Sequence, residues 1–442
     1  MSESLAEATV GDSPRRRTFL AMWAGQVVSI FGSRLTAFAL GVWVFEQTGS
    51  ATWFAAVALA TNLPAILISP IAGAFVDRHD RRRVMMLSDA AAGVASFVLL
   101  GLVLSDRLEM WHLYAMAATV SLCGAFQFPA FSASVTLLLP KQQFARASGM
   151  VQLGRTGADV VAPLAAGALL PIAGLAGVIA LDLTTFLVAL GILFCLRVPS
   201  PERRPSAAKA ALLQEAKVGW IYIRERPGLL RLLGLIAVLN LWIPLALVLT
   251  TPMVLGFAGV AELGLVLGLG SGGALAGSLV LTAWGGPRDK IRGLLSFTPA
   301  VALGLTLAGL RPSVALSAVG LFGAMFFLPL INGCSQAVWQ SKVPPELQGR
   351  VFAVRRMIAQ ATAPLAFVLA GPLADGVFSP LLLPGGAAVP TLGAWWGVGP
   401  GRGIGLLFAL LGVCLLALGV AARASRRLTA LEEEIPDAVP AH

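Results

Sequence analysis

Apolar positions gather into twelve runs separated by short polar segments: 19–45, 52–75, 84–104, 111–138, 147–170, 174–196, 231–255, 262–284, 293–310, 313–339, 351–374 and 403–422. A helix needs roughly 20 apolar residues to cross a hydrocarbon core of about 30 Å, and each run is near that length. The pattern predicts an all-α integral membrane protein of twelve transmembrane helices. Met1 to Arg17 is polar, and the run beginning at Phe19 is too long for the apolar core of a cleavable signal peptide, so it is expected to be the first spanning helix.

The polar segments orient the helices. One alternate set of connections carries Arg15, Arg16 and Arg17; Arg78, Arg81, Arg82 and Arg83; Lys141 and Arg146; Arg288, Lys290 and Arg292; Lys342 and Arg350; and Arg423, Arg426 and Arg427. The other set holds only Arg107, Arg311 and Arg402. Basic loops stay on the cytoplasmic side, so both termini and the long central segment are expected there, in the cell (inner) membrane. That segment divides the chain into expected parts: a six-helix bundle over 1–198, a linker over 199–230, a second six-helix bundle over 231–425 and a tail over 426–442. Within the linker, Leu212, Leu213, Ala216, Trp220 and Ile223 can share a helix face opposite Lys209, Lys217 and Arg224. This suits a helix lying on the cytoplasmic leaflet, and a plain solvated linker helix fits equally well.

Composition sharpens the class. With 57% hydrophobic and 12% charged residues and a mean hydropathy of +0.83, a soluble globular protein is excluded. The formal net charge of +10 would raise nucleic-acid binding in a soluble chain, but here the basic residues sit in the loops and report topology. Cys123, Cys195, Cys334 and Cys414 all fall inside apolar runs without a CxxC pair, which offers neither a disulfide framework nor a metal site. Without a GxxxxGK[ST] or HExxH motif, no catalytic site, ATP-driven step or cofactor is expected. Gly268-Leu-Gly270-Ser-Gly272-Gly273 lies within an apolar run and reads as a helix-packing face rather than a phosphate loop.

The halves also repeat. Pro129-Ala-Phe131, Leu139-Pro140, Arg146 and Ala162-Pro163 have counterparts in Pro329-Leu-Ile331, Val343-Pro344, Arg350 and Ala363-Pro364. Two similar bundles can rock about a site near the bilayer midplane, which favours transport over a membrane sensor or an assembly scaffold.

The segment Gly73-Ala-Phe-Val-Asp77-Arg78-His-Asp80-Arg81-Arg82 resembles the signature loop of the major facilitator superfamily, G-x-L-x-D-R-x-G-R-R. Gly73, Asp77, Arg78, Arg81 and Arg82 match, Phe75 replaces the leucine, and Asp80 replaces the second glycine. Asp77 is expected to latch onto the N-terminus of the eleventh helix. Thr48-Gly49-Ser50, Asp182-Leu-Thr-Thr-Phe186 and Leu347-Gln-Gly-Arg350-Val-Phe352 are similar to stretches of its drug and siderophore exporter branch, which includes macrolide efflux and enterobactin export proteins. The fifth run carries Ala158-x-x-x-Ala162-Pro163-x-x-Ala166-Gly167, similar to the antiporter motif with three glycines replaced by alanine. The fourth run lacks the arginine of proton-coupled exporters, so coupling has to be sought elsewhere.

The resemblance implies the major facilitator fold, with two pseudo-symmetric six-helix bundles. It also implies a monomeric secondary transporter that exports a small amphipathic molecule (drug, macrolide or siderophore-like) with protons as coupling ion, by alternating access. A lipid flippase or a nutrient importer on the same fold stays open. A cavity along the first, fourth, seventh and tenth helices would present Gln26, Gln127, Phe128, Phe131, Asn240, Trp242, Phe326, Asn332 and Gln336. Arg155 and Asp159, four apart, can pair on one helix face. Phe19 to Arg34 is about 22 Å of helix rise and Ala147 to Asp159 about 18 Å, so Arg34 can join them. Ionisable groups at such depth are functional candidates, and Asp159 is the expected proton carrier, with Asp182 and Asp89 as alternatives.

Overall fold

The computed structural model describes residues 14–76, 78–140, 143–196 and 210–436, and among them no strand occurs. The helices are α1 (Pro14–Thr48), α2 (Ala51–Val76), α3 (Arg81–Leu104), α4 (Met110–Leu138), α5 (Phe144–Cys195), α6 (Ala210–Arg224), α7 (Pro227–Leu255), α8 (Val260–Trp284), α9 (Lys290–Leu310), α10 (Val314–Lys342) and α11 (Pro345–Gly371). A π-helical stretch, Pro372–Phe378, leads into α12 (Ser379–Leu382) and then α13 (Val389–Trp396), α14 (Arg402–Ala424), α15 (Arg426–Thr429) and α16 (Leu431–Glu434). Eleven of the described helices are long and apolar enough to span a bilayer.

The twelfth pass is hidden in α5. Gly174 sits at φ 64°, a left-handed conformation that glycine adopts without strain, and interrupts the helix there. Trp23 Nε1 donates to the Met150 carbonyl at 3.0 Å, while a side chain at Gly25 would meet Ile192 at 3.2 Å. Residues 150 and 192 therefore flank the same turn of α1, although a straight helix would hold them about 60 Å apart. The chain reverses at Gly174, and α5 is two antiparallel spans, as the sequence runs 147–170 and 174–196 require. α13 has no counterpart among the sequence runs. It is a short helix in the connection to α14, with no buried residue.

Two compact units emerge, six spans to each. One holds the described residues through Val44 and from Val57 to Leu196; the other holds Phe45–Ala56 and everything described from Ala210 onward. The first unit has three apolar clusters: one around Phe19, Met22, Val84, Met85 and Leu193, one around Leu40, Val44, Leu99 and Leu113, and one where Leu35 and Ala39 meet Ala162, Ala166 and Val178. In the second unit, α8 and α10 touch through glycines. A side chain at Gly270 would press on Leu321 at 2.7 Å, and one at Gly273 would meet the Phe322 backbone at 3.0 Å. The glycine-rich stretch of α8 is thus a packing face, as small residues in membrane helices commonly are.

The expected amphipathic face of the linker helix is partly redrawn. Tyr222 and Ile223 are buried, and Gly219 abuts the Arg350 carbonyl of α11, so α6 docks on its own unit along this side. Trp220 lies 40% exposed off that side, and Lys217 is exposed. Lys209 lies outside the described residues, as do the side chains of Leu212, Leu213 and Ala216.

Candidate functional site

α3 begins where it does because Asp80 caps it, its carboxylate accepting from Arg83 N at 3.0 Å. The residue that replaces the signature glycine thus gains a role of its own. Arg81 donates to the Ala133 carbonyl of α4 at 2.6 Å. Arg82 donates to the Leu193 and Phe194 carbonyls at 2.9 and 2.6 Å, where a cation suits the C-terminal end of α5. These two arginines tie α3 to its neighbours within the first unit. Arg78 is exposed and Gly73 half-buried, while Asp77 and its expected latch lie outside the described residues.

Eight residues into α3, Asp89 is 1% exposed. Gln26 Nε2 of α1 donates to its Oδ2 at 3.4 Å, and Gln127 Nε2 of α4 donates to its Oδ1. Two of the amides expected to line a cavity therefore converge on one buried acid, and three separate helices contribute one group each. Phe131, expected beside them, is 5% exposed and packs in the apolar cluster around Phe19 and Met22, so it is a core residue in this structure. Phe128 is 45% exposed.

The charged trio divides. Arg34 Nε meets Asp159 Oδ1 at 2.8 Å, with both side chains about half exposed. Arg155 makes no ion pair with Asp159 within 4.0 Å and lies over the Phe128 ring, 4.0 Å from its centroid. A base placed N-terminal to an acid at i,i+4 is the less favourable order on a helix, and the aromatic face competes with it. The fifth-helix motif packs inward: Ala162 and Ala166 are fully buried against Leu35, Ala39 and Val178, Gly167 is buried, and Pro163 is half-buried.

In the second unit, Asn240 and Trp242 of α7 are half-buried, and Asn332 of α10 is exposed. Gln336 Oε1 accepts from Arg355 Nη1 of α11 at 2.6 Å, and the same guanidinium reaches Ser335 Oγ at 3.4 Å. Arg355 was not among the residues singled out from the sequence; an arginine inside the eleventh apolar run was the signal for it.

A second group missed from the sequence caps α2. Asp375, in the π-helical stretch, accepts from Ser50 Oγ at 2.6 Å, Ala51 N at 3.1 Å, Thr52 N at 2.8 Å and Thr52 Oγ1 at 2.7 Å. One carboxylate thereby satisfies the first amide groups of α2, which have no partner inside their own helix. The Thr48-Gly49-Ser50 stretch marks this turn, with Gly49 at φ 62°.

The family model described as Major Facilitator Superfamily matches residues 22–367. Over 369 residues the chain is 28% identical to Macrolide efflux protein A of Streptococcus pyogenes, covering 81% of this chain and 90% of that protein. It is 29% identical over 373 residues to Multidrug efflux pump Tap of Mycolicibacterium fortuitum, covering 81% and 88%. Among solved structures, a bacterial homologue of the human lysosomal transporter Spinster, inward-facing and unoccupied, superposes with a TM-score of 0.67 at 16% identity, covering 95% of this chain and 98% of that one. A bacterial homologue of the iron transporter ferroportin, inward-facing, gives 0.63 at 16% identity, covering 92% and 98%.

Proposed function

Because the chain belongs to the Major Facilitator Superfamily, we propose that it is a proton-coupled exporter of an amphipathic organic compound, of drug, macrolide or siderophore-like chemistry, working by alternating access. The names of the efflux relatives support the direction of transport and the substrate class. In this reading the bundles 1–198 and 231–425 are the moving parts, the 199–230 linker and both termini face the cytoplasm, and the protein acts as a monomer. Gln26 and Gln127 in the first bundle, and Asn240, Trp242, Asn332 and Gln336 in the second, are the candidates to give a substrate hydrogen bonds and aromatic contact area. The capping of α2 by Asp375 is a gate contact that opens and closes during the cycle.

The observation that carries the reading is the buried Asp89 carboxyl held by Gln26 and Gln127. A buried carboxyl whose partners are neutral side chains takes up or releases a proton as those partners turn away. Substrate binding that recruits either amide changes the surroundings of Asp89, which links the two events. Asp159, paired with Arg34 at 2.8 Å, is the second reading for the coupling acid, supported by that single contact between α1 and α5.

Accumulation of a panel of dyes, macrolides and siderophores, in cells with and without the protein and with and without an ionophore, tests the function. Ionophore-sensitive exclusion of one class is the expected result, whereas uptake, or lipid scrambling without exclusion, would replace it with an importer or a flippase. Asp89→Asn is expected to abolish uphill efflux and keep downhill exchange. If Asp159→Asn does so instead, coupling belongs to the Arg34–Asp159 pair.

A further inference from the structure

We propose that the first unit holds a separate site for one small monovalent cation, with Na+ as its probe ion, built from Asp182, Thr36, Ser96 and Thr185 around Gly32. The site lies apart from Asp89. Ser96, which faces Asp182, is seven residues and about 10 Å farther along α3.

The Asp182 residue is 1% exposed, and its Oδ1 has no hydrogen-bond partner. Its Oδ2 accepts from Ser96 Oγ at 3.3 Å, a long bond from a fully buried hydroxyl. Thr36, 2% exposed on α1, sets its hydroxyl close enough to act on the same carboxyl group, but outside good hydrogen-bond geometry. Thr185 Oγ1 donates to the Asp182 main-chain carbonyl at 2.7 Å, which leaves the lone pairs of that hydroxyl oxygen facing the cluster. Gly32 makes the room: a side-chain carbon there would stand 2.7 Å from Asp182 Oδ1 and would collide with Thr185 Oγ1.

The donor set selects the ligand. Buried charges in proteins are paired or coordinate a metal, and among the described residues no ion pair reaches Asp182. Three hydroxyl oxygens and a carboxylate are hard ligands, suited to an alkali or alkaline-earth ion and not to a transition metal, which would draw on imidazole or thiolate. Only one formal negative charge is present, and among the described residues no group of three acidic, His or Cys side chains could hold a metal. A single positive charge balances it, whereas divalent sites gather several carboxylates. Thr36, Ser96 and Asp182 come from α1, α3 and the second arm of α5, so an ion here would cross-link three spans.

The test uses the purified full-length chain in detergent, with its unfolding midpoint followed in NaCl, KCl and choline chloride at equal ionic strength. A ligand that binds only the folded state raises the midpoint in step with the logarithm of its concentration above Kd. The expected result is a rise specific to NaCl, abolished in Asp182→Asn and weakened in Ser96→Ala. Gly32→Ala keeps all four ligand side chains but pushes Thr185 Oγ1 and Asp182 Oδ1 from their places, and is expected to remove the Na+ response as well. It serves as the reporter if Asp182→Asn does not fold. Identical wild-type midpoints in NaCl and choline chloride would overturn the site. A Na+ response that survives both variants would place the ion elsewhere and overturn it equally. Because the readout is stability, failure of the efflux reading leaves this result interpretable.

Discussion

The two units bury opposite charges. Among the described residues, the buried carboxylates and cations of the first unit are the acids Asp89 and Asp182; those of the second are the bases Lys342 and Arg402. Their partners differ in kind. Lys342 Nζ donates to the Glu432 and Ile435 carbonyls at 2.7 and 2.6 Å, and Arg402 donates to the Trp396 and Gly309 carbonyls at 2.6 and 2.9 Å. Those acceptors are main-chain groups, fixed once the backbone is fixed. The acids face amide and hydroxyl side chains, whose positions depend on side-chain rotamers as well as on the backbone. A buried base held by carbonyls is a clamp, while a buried acid held by rotors can exchange what it binds. Under the proposed function, anchoring falls to the second unit and ion handling to the first.

The clamp at Arg402 gives the largest expected effect. It joins the start of α14 to the end of α9 and to α13, and it explains an arginine among the few basic residues of the sparse loop set. Arg402→Met keeps the bulk and removes the donors, leaving two carbonyls without their partner at about 1–3 kcal/mol each. A loss of about 2–5 kcal/mol in unfolding experiments is expected, with little change in the pH dependence of transport for protein that folds. Should Arg402→Met instead alter coupling at unchanged stability, the division between anchoring and ion-handling units fails.

Asp375 sharpens the comparison from the other side, because it is an acid of the second unit whose bonds run to the tip of the α1–α2 hairpin. Replacing a helix-capping residue by alanine costs about 0.5–2 kcal/mol, and Asp375→Ala removes two hydroxyl bonds besides. A cysteine at Trp53 is expected to react faster with an impermeant thiol reagent added outside when Asp375→Ala is also present. Lowered stability with unchanged labelling would make Asp375 an anchor of the same kind as Arg402 and not a gate.

Much of this fold was legible in the sequence, for a physical reason. Bilayer thickness sets span length, and loop charge marks the boundaries, so both leave a signal within a short window. Even the reversal at Gly174 lies where two apolar runs meet. The site was legible only in pieces. Gln26 and Gln127 stood out as polar residues in apolar runs, but their convergence on Asp89 joins positions 63 and 38 residues away, which no window reports. The Arg155–Asp159 spacing pointed to a local pair. A tertiary partner, Arg34, took the acid because a facing helix supplied it at 2.8 Å. Ser50 carried a recognisable motif, yet its partner Asp375 lies 325 residues on, in a π-helical stretch with no sequence signature of its own.

The smallest effect concerns the clamp at Lys342, whose carbonyl partners sit on the C-terminal strap of α15 and α16. The Glu432 carboxylate of this strap accepts from Lys290 N and Ile291 N at 3.2 Å each, at the start of α9. Burial, and then the neighbouring Asp289 carboxyl group, push Glu432 above the usual carboxylate range. Asp289 is held below its usual range despite some burial, through Glu432 and Arg292, and its 2.9 Å pair with Arg292 is local to α9. The opposite directions place the shared proton on Glu432, whose side-chain bond to Asp289 exists only while the strap is docked. An acid raised in the docked state binds a proton there that it has already lost when undocked. Its contribution to docking is full below the ordinary glutamate range and fades as pH rises through the raised value. Protease cleavage within Ser425–Pro436, in otherwise folded protein, is expected to be slower at pH 5 than at pH 8. Glu432→Gln should flatten that difference while keeping the Lys342 bonds, which use main-chain carbonyls. Faster cleavage at pH 5 would mean that the carboxylate form holds the strap. Glu432 would then act as a charged cap on α9, and the second unit would own an acid whose ionised state does structural work.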